Sequence, residues 1–152
     1  MKRPKVVWKT PVYKVMLVHD ANVTISEKCI GSPEDAVHIV IDYLRGVDRE
    51  HFVGLYLNSA NRLIGLHTIS IGILNSSLVH PREVYKPAYM MNAASVIVSH
   101  NHPSGNTEPS SEDIAMTKQL VDAGKILGIP LHDHIIVTEN NGFVSFAERG
   151  LL

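Results

Sequence analysis

A single cysteine, Cys29, among 152 residues excludes an intramolecular disulfide. That usage suits a reducing compartment. It also excludes zinc sites built from several thiolates. Long hydrophobic runs are missing as well. No stretch approaches the ~20 apolar residues needed to span a bilayer. Lys9 and Lys14 interrupt what would otherwise be a signal-peptide core. A cytoplasmic protein without a membrane segment is expected. Charge of one sign is also lacking: 14 Lys and Arg oppose 15 Asp and Glu, a net charge of -1 with histidine neutral. Overall basic character, the electrostatic footprint of nucleic-acid binders, is therefore absent. The one basic cluster, Lys2, Arg3, Lys5 and Lys9, reads as a solvated tail. Weak or no direct nucleic-acid binding is expected. Internal repeats and low-complexity segments are absent too.

What remains is the composition of a globular chain, 45% hydrophobic and 19% charged. A domain of this length can bury roughly 70% of its unfolded surface and needs no staples. The expected division is a basic arm over 1–11, marked by Pro4 and Pro11, followed by one domain over 12–152. Tyr13–Val18 reads as a strand. Ser32-Pro33-Glu34-Asp35 starts a helix that carries Val37, Val40, Ile41 and Leu44 at helical spacing and ends at Gly46. Phe52–Leu57 and Leu63–Ile71 read as a hairpin. Pro81 opens a second helix, which Pro87 should kink or stop early. Ser95–Ser99 is an apolar run of buried-strand type, and 100–109 reads as a loop with two prolines and a glycine. Ser110–Leu127 is a third helix closed by Gly128. Leu131–Thr138 is a strand, and Asn140-Asn141-Gly142 turns the chain into a short strand over Phe143–Ser145. This order predicts an α/β or α+β class with a mixed sheet.

The chemistry concentrates in one segment, Ser99-His-Asn-His-Pro-Ser-Gly-Asn-Thr-Glu-Pro-Ser-Ser-Glu-Asp113. His100 and His102 are two apart at a strand end, and residues i and i+2 of an extended chain point the same way. Two imidazoles can therefore meet one ion. Asp113 lies in the first turn of the third helix, in line with Met116, Leu120, Ala123 and Leu127, so it faces inward. A buried carboxylate is costly unless partnered, and a metal ion is such a partner. Two His and one Asp match the three protein ligands of catalytic zinc, with the fourth position left for water. Structural sites use four ligands, usually with Cys. One Zn2+ per chain is expected, with its water acidified towards pH ~7.

The motif His100-x-His102, seven residues, Ser110, two residues, Asp113 resembles that of the JAMM (MPN-type) metalloprotease superfamily. More narrowly, the chain resembles the bacterial RadC-like family. The likeness runs through His80-Pro81-Arg82-Glu83-Val84, Ser99-His-Asn-His-Pro-Ser-Gly105, Pro109-Ser110, Asp133-His134-Ile135-Ile136-Val137 and Ser145-Phe146, covering about residues 30–150. The resemblance implies a curved mixed sheet flanked by helices, layered as in cytidine deaminases, with zinc at the open edge. It implies hydrolysis of an amide bond in a peptide or protein. His100, His102 and Asp113 would be the zinc ligands. Ser110 would steady the oxyanion. Glu50, at the start of the first hairpin strand, would take a proton from the metal-bound water. Longer relatives carry an N-terminal helix–hairpin–helix region. The few residues before Tyr13 cannot hold one, so this chain is expected to be a short form without that region's DNA binding.

Alternatives stand beside these roles. Glu50 reads also as a solvated strand-end charge beside Arg49. Glu83 is a second candidate base, although the helix dipole already explains an acid in a first turn. His132-Asp133-His134 is a second His-x-His, whose imidazoles would share one strand face. It forms a rival metal site or, lacking a matching acid, serves structural or supporting roles. Ser110 reads also as a helix cap boxed with Asp113. Against the peptidase stand a non-catalytic module in DNA transactions, in keeping with the family's DNA-repair label, and a zinc nuclease. Cytidine-deaminase chemistry is excluded, because no Pro-Cys-x-x-Cys element exists.

Overall fold

The structure is a computed structural model that describes residues 9–25, 28–72 and 79–152. Among the described residues three helices and five strands follow in the order α1 (Pro33–Tyr43), β1 (His51–Leu57), β2 (Leu63–Ile71), α2 (Pro81–Met90), β3 (Ser95–Asn101), α3 (Ser111–Leu127), β4 (Leu131–Val137) and β5 (Phe143–Ser145). The strands form an open mixed sheet in the order β2-β1-β3-β4-β5. Only β3 and β4 run parallel, and α3 supplies the crossover between them. The remaining pairs are antiparallel, including the expected hairpin of β1 and β2.

Side-chain alternation sorts the core into two layers. On one face α1 lays Ala36, Val37, Ile39 and Val40 on Val53, Leu55, Ile97, Ile135 and Val137. On the other, α2 and α3 lay Val84, Tyr85, Ala88, Met116 and Leu120 on Phe52, Tyr56, Val96 and Val98. Helix α1 packs on one face of β3, over Ile97, and α2 and α3 on the other, over Val96 and Val98, which explains why its apolar run is buried on both faces. The same alternation that sends Val96 and Val98 towards α3 sends His100 there too. Gly54 of β1 leaves room for the Tyr56 ring, whose hydroxyl donates to the Val84 carbonyl at 3.0 Å and ties α2 to the sheet.

Three sequence expectations are corrected. Tyr13–Val18 forms no strand: Tyr13 is 82% exposed and Val18 83%, and among the described residues no ladder partner lies beside them. Strand composition cannot replace a neighbouring strand. Of the kink or early stop expected at Pro87, the early stop does not occur: helix α2 continues to Met90. Pro87 removes only its own N–H, while its carbonyl still accepts from Met91 at 2.9 Å, and Val84, Tyr85 and Ala88 anchor the helix on the sheet. Finally, 100–109 is not wholly loop, because β3 runs on through His100 and Asn101. Of the basic cluster, Lys9 is exposed, whereas Lys2, Arg3 and Lys5 lie outside the described residues. Among the described residues no helix is long and apolar enough to cross a membrane.

Candidate metal centre

Three elements converge at the C-terminal end of β3. His100 is the penultimate residue of the strand and fully buried. His102 follows just past the strand end, where its backbone N–H still bonds the Val137 carbonyl of β4 at 2.9 Å. Asp113 stands in the first turn of α3, buried, as its helical spacing predicts. His100 Nε2 lies 2.9 Å from His102 Nε2 and 3.4 Å from Asp113 Oδ1, and His102 Nε2 lies 3.8 Å from Asp113 Oδ2. All candidate ligand atoms fall within 4.8 Å of one another. Ligands tetrahedrally arranged around an ion at ~2.0–2.1 Å would be about 3.3 Å apart, so the spacing suits a small divalent ion.

The hydrogen bonds behind the imidazoles fix their tautomers. Thr117 Oγ1 donates to the Asp113 carbonyl at 2.6 Å, which uses its only proton. The 2.6 Å contact between Thr117 Oγ1 and His134 Nδ1 therefore has His134 as donor. His134 Nε2 is then the acceptor of the 2.8 Å bond from His100 Nδ1. His100 is left with an unprotonated Nε2. His102 Nδ1 donates to the Asn106 carbonyl at 2.6 Å, which leaves its Nε2 unprotonated also. Burial supports the neutral forms. It pushes His100 down to about 4, against the opposing pull of Asp113, and holds His134 well below the ordinary histidine range. Two lone pairs and a carboxylate oxygen thus face one another at close range. Such a triad is repulsive without a cation, and the donor set fits one.

Asp113 is aimed by its helix cap. Ser110 accepts from the Asp113 N–H at 3.1 Å, and Asp113 Oδ2 accepts from the Ser110 N–H at 2.8 Å and from its hydroxyl at 2.7 Å. Oδ1 is turned towards His100. Glu50 stands two residues before Phe52, whose ring stacks on His100 with centroids 5.9 Å apart. Glu50 also borders an open cleft with Pro103 and Ser104, the residues that follow His102. Glu83 is half-exposed. It pairs with Lys86 at 2.9 Å and Arg82 at 3.4 Å, and the Lys86 bond holds its carboxyl below the usual range.

The second His-x-His does not form a rival site. Leu131 pairs with Val96 but Asp133 pairs with Ile97, so His132 is the extra residue of a β-bulge. The bulge breaks the alternation: His132 is exposed while His134 is buried beside His100. The shared face expected of the two imidazoles is therefore lost, and His134 becomes the orienting partner of His100. Asn101, Asn106 and Thr117 also escaped the sequence reading. Thr117, four residues after Asp113 on the inward stripe, was the one with a readable signal.

Fold and centre together define an α/β domain of the JAB/MPN class whose His100, His102 and Asp113 could hold a metal ion. The chain belongs to the RadC-like family of that class: the family model described as "RadC-like JAB domain" matches residues 30–151. Similar proteins include a "UPF0758 protein" of Shouchella clausii, 56% identical over 121 residues that make up 80% of this chain and 52% of that protein. One from Desulforamulus reducens is 52% identical over 81% of this chain and 54% of its own length. One from Bacillus cereus is 53% identical over 80% and 53%. The chain spans about half the length of these relatives. Family and site make metal-dependent hydrolysis the chemistry to test.

Proposed function

We propose that the protein is a Zn2+-dependent cytoplasmic hydrolase that cleaves an amide bond in a peptide or protein, as a peptidase or isopeptidase. The observation that carries this reading is the convergence of two imidazole lone pairs and the Asp113 carboxylate at one buried point. Three N/O ligands are the usual protein complement of catalytic zinc. When bound, the ion supplies an acidified water and polarises the scissile carbonyl. His100 and His102 would bind through Nε2 and Asp113 through its carboxylate. Glu50 would take the proton from the attacking water and hand it to the leaving amine. Its place beside Phe52 and on the cleft at Pro103 supports that role. Glu83, committed to Lys86 and Arg82, is the weaker base.

The test is a screen of zinc-loaded protein against peptide, isopeptide and DNA substrates. Amide hydrolysis that Glu50→Gln lowers by about 10²–10⁴-fold, with zinc retained, supports the reading. Cleavage of DNA alone would overturn it in favour of a nuclease. Zinc loss in Glu50→Gln would make that residue a ligand, and unchanged turnover would move the base role elsewhere.

A further inference from the structure

We infer that Asn101, the residue between the two histidines, is a positioning residue that fixes Glu50 by tying the backbone on both sides of it. The inference rests on the base role proposed for Glu50. The ladder between β1 and β3 runs from the pair Leu57/Ser95 to the pair Phe52/His100. Beyond that pair, side chain replaces backbone. Asn101 Oδ1 accepts from the His51 N–H at 2.7 Å, and Asn101 Nδ2 donates to the Arg49 carbonyl at 3.0 Å. The two bonded groups flank Glu50. The Glu50 carbonyl itself accepts from the Gly72 N–H at 2.9 Å.

The carboxamide does both jobs at once, offering its oxygen to the partner that needs an acceptor and its NH2 to the one that needs a donor. The partners also settle which atom of the amide is which. Asn101 is covalently joined to His100 and His102, so the clamp transmits the position of the ligands to Glu50 through a few rigid bonds. A general base must lie within hydrogen-bond reach of the proton it moves. A misplacement of about 1 Å can cost ~10²-fold, so a clamp of this kind has a catalytic consequence without touching substrate.

The test uses the whole, isotopically labelled protein loaded with Co2+, whose paramagnetism broadens nearby carbon signals with a steep distance dependence. In the unmodified protein the Glu50 carboxyl carbon should be strongly broadened. Asn101→Ala should lose most of that broadening while binding the same amount of Co2+. Asn101→Asp keeps the acceptor for His51 and loses the donor for Arg49, so it should fall between; it also carries the test if Asn101→Ala does not fold. Wild-type broadening of Glu50 in these variants would overturn the inference. So would loss of Co2+ binding in both, which would show that Asn101 serves the ligands instead. Absence of broadening in the unmodified protein is a different result: Glu50 is then far from the metal, and the base role itself fails. On an amide found by screening, Asn101→Ala should lower kcat with KM unchanged. It should add nothing in a Glu50→Gln background.

Discussion

The ends of β3 and β4 carry the same ingredients and use them differently. Each has a His-x-His, an aspartate and a serine that hydrogen-bonds the aspartate. At β3 these are His100, His102, Asp113 and Ser110, and the acid turns towards the imidazoles. At β4 they are His132, His134, Asp133 and Ser145. There Asp133 lies on the α1 face, paired with Ile97, and binds Ser145 Oγ and the backbone N–H groups of His134 and Ala147. One inserted residue in the ladder separates the two outcomes. Spacing in a sequence offers two imidazoles to one ion, but the register of the strand decides whether they arrive.

The comparison breaks most sharply on metal content. His100→Ala, His102→Ala and Asp113→Ala should each abolish near-stoichiometric zinc, and His132→Ala should leave it intact, all read by elemental analysis of purified protein. Retention of zinc in all three, or its loss in His132→Ala alone, would reverse the assignment of the two pairs. A smaller loss is expected at His134, which hydrogen-bonds His100 and stands outside the candidate ligand group. His134→Phe keeps a ring stacked on Phe146 but leaves the His100 Nδ1–H without its acceptor. Loss of such an outer partner typically costs 10–100-fold in metal affinity. A competition titration with a chelator measures it, and an unchanged affinity would reduce His134 to packing.

The two sets should also respond oppositely to pH in the metal-free protein. Burial lowers the histidines, so below the ordinary value near 6.5 the unfolded chain binds protons that the folded protein refuses. Stability is then lost as pH falls from about 6.5 towards the value of about 4 held by His100. Burial raises Asp133, so its contribution is present below 3.8 and lost as pH rises through its raised value. The histidine set governs the physiological side. The unfolding midpoint after chelation should drop between pH 6.5 and 4, and bound zinc should hold it up until the ligands protonate. A midpoint flat across that window would mean that the imidazoles are not held neutral.

Much of this contrast was legible in the sequence on one side and not on the other. Ser110, Asp113 and the inward stripe of α3 could be read because a helix cap and a 3.6-residue period are local. His100 and His102 could be read because strand alternation is local too. The bulge at His132 depends on how β4 pairs with β3, which no local pattern announces. The clamp of Asn101 on Arg49 and His51 spans some fifty positions and is equally silent. Tyr13–Val18 failed for the same reason in reverse: its composition is local, its missing ladder is not.

The smallest expected effect separates the two serines. Ser110 spends its one proton on Asp113 Oδ2 and accepts the Asp113 N–H, so its observed work is to cap α3 and aim the Asp113 carboxylate. Removing an N-cap costs about 1 kcal/mol. For a domain of this size that is about 2–4 °C in the unfolding midpoint. Ser110→Ala should therefore melt slightly earlier and retain zinc. Ser145→Ala removes one of three donors to a buried carboxylate whose remaining partners are backbone. Leaving part of that charge unsatisfied costs about 1–3 kcal/mol, so it should melt earlier than Ser110→Ala and hold zinc equally well. The oxyanion role implied by the family resemblance requires the Ser110 hydroxyl to leave Asp113 for the substrate. Removal of one such donor elsewhere costs 10²–10³-fold in kcat. A loss of that size in Ser110→Ala, with the melting change still small and zinc still present, would place the hydroxyl on the oxyanion during turnover. Turnover within a few-fold of the unmodified protein would leave Ser110 as the residue that holds Asp113 in place.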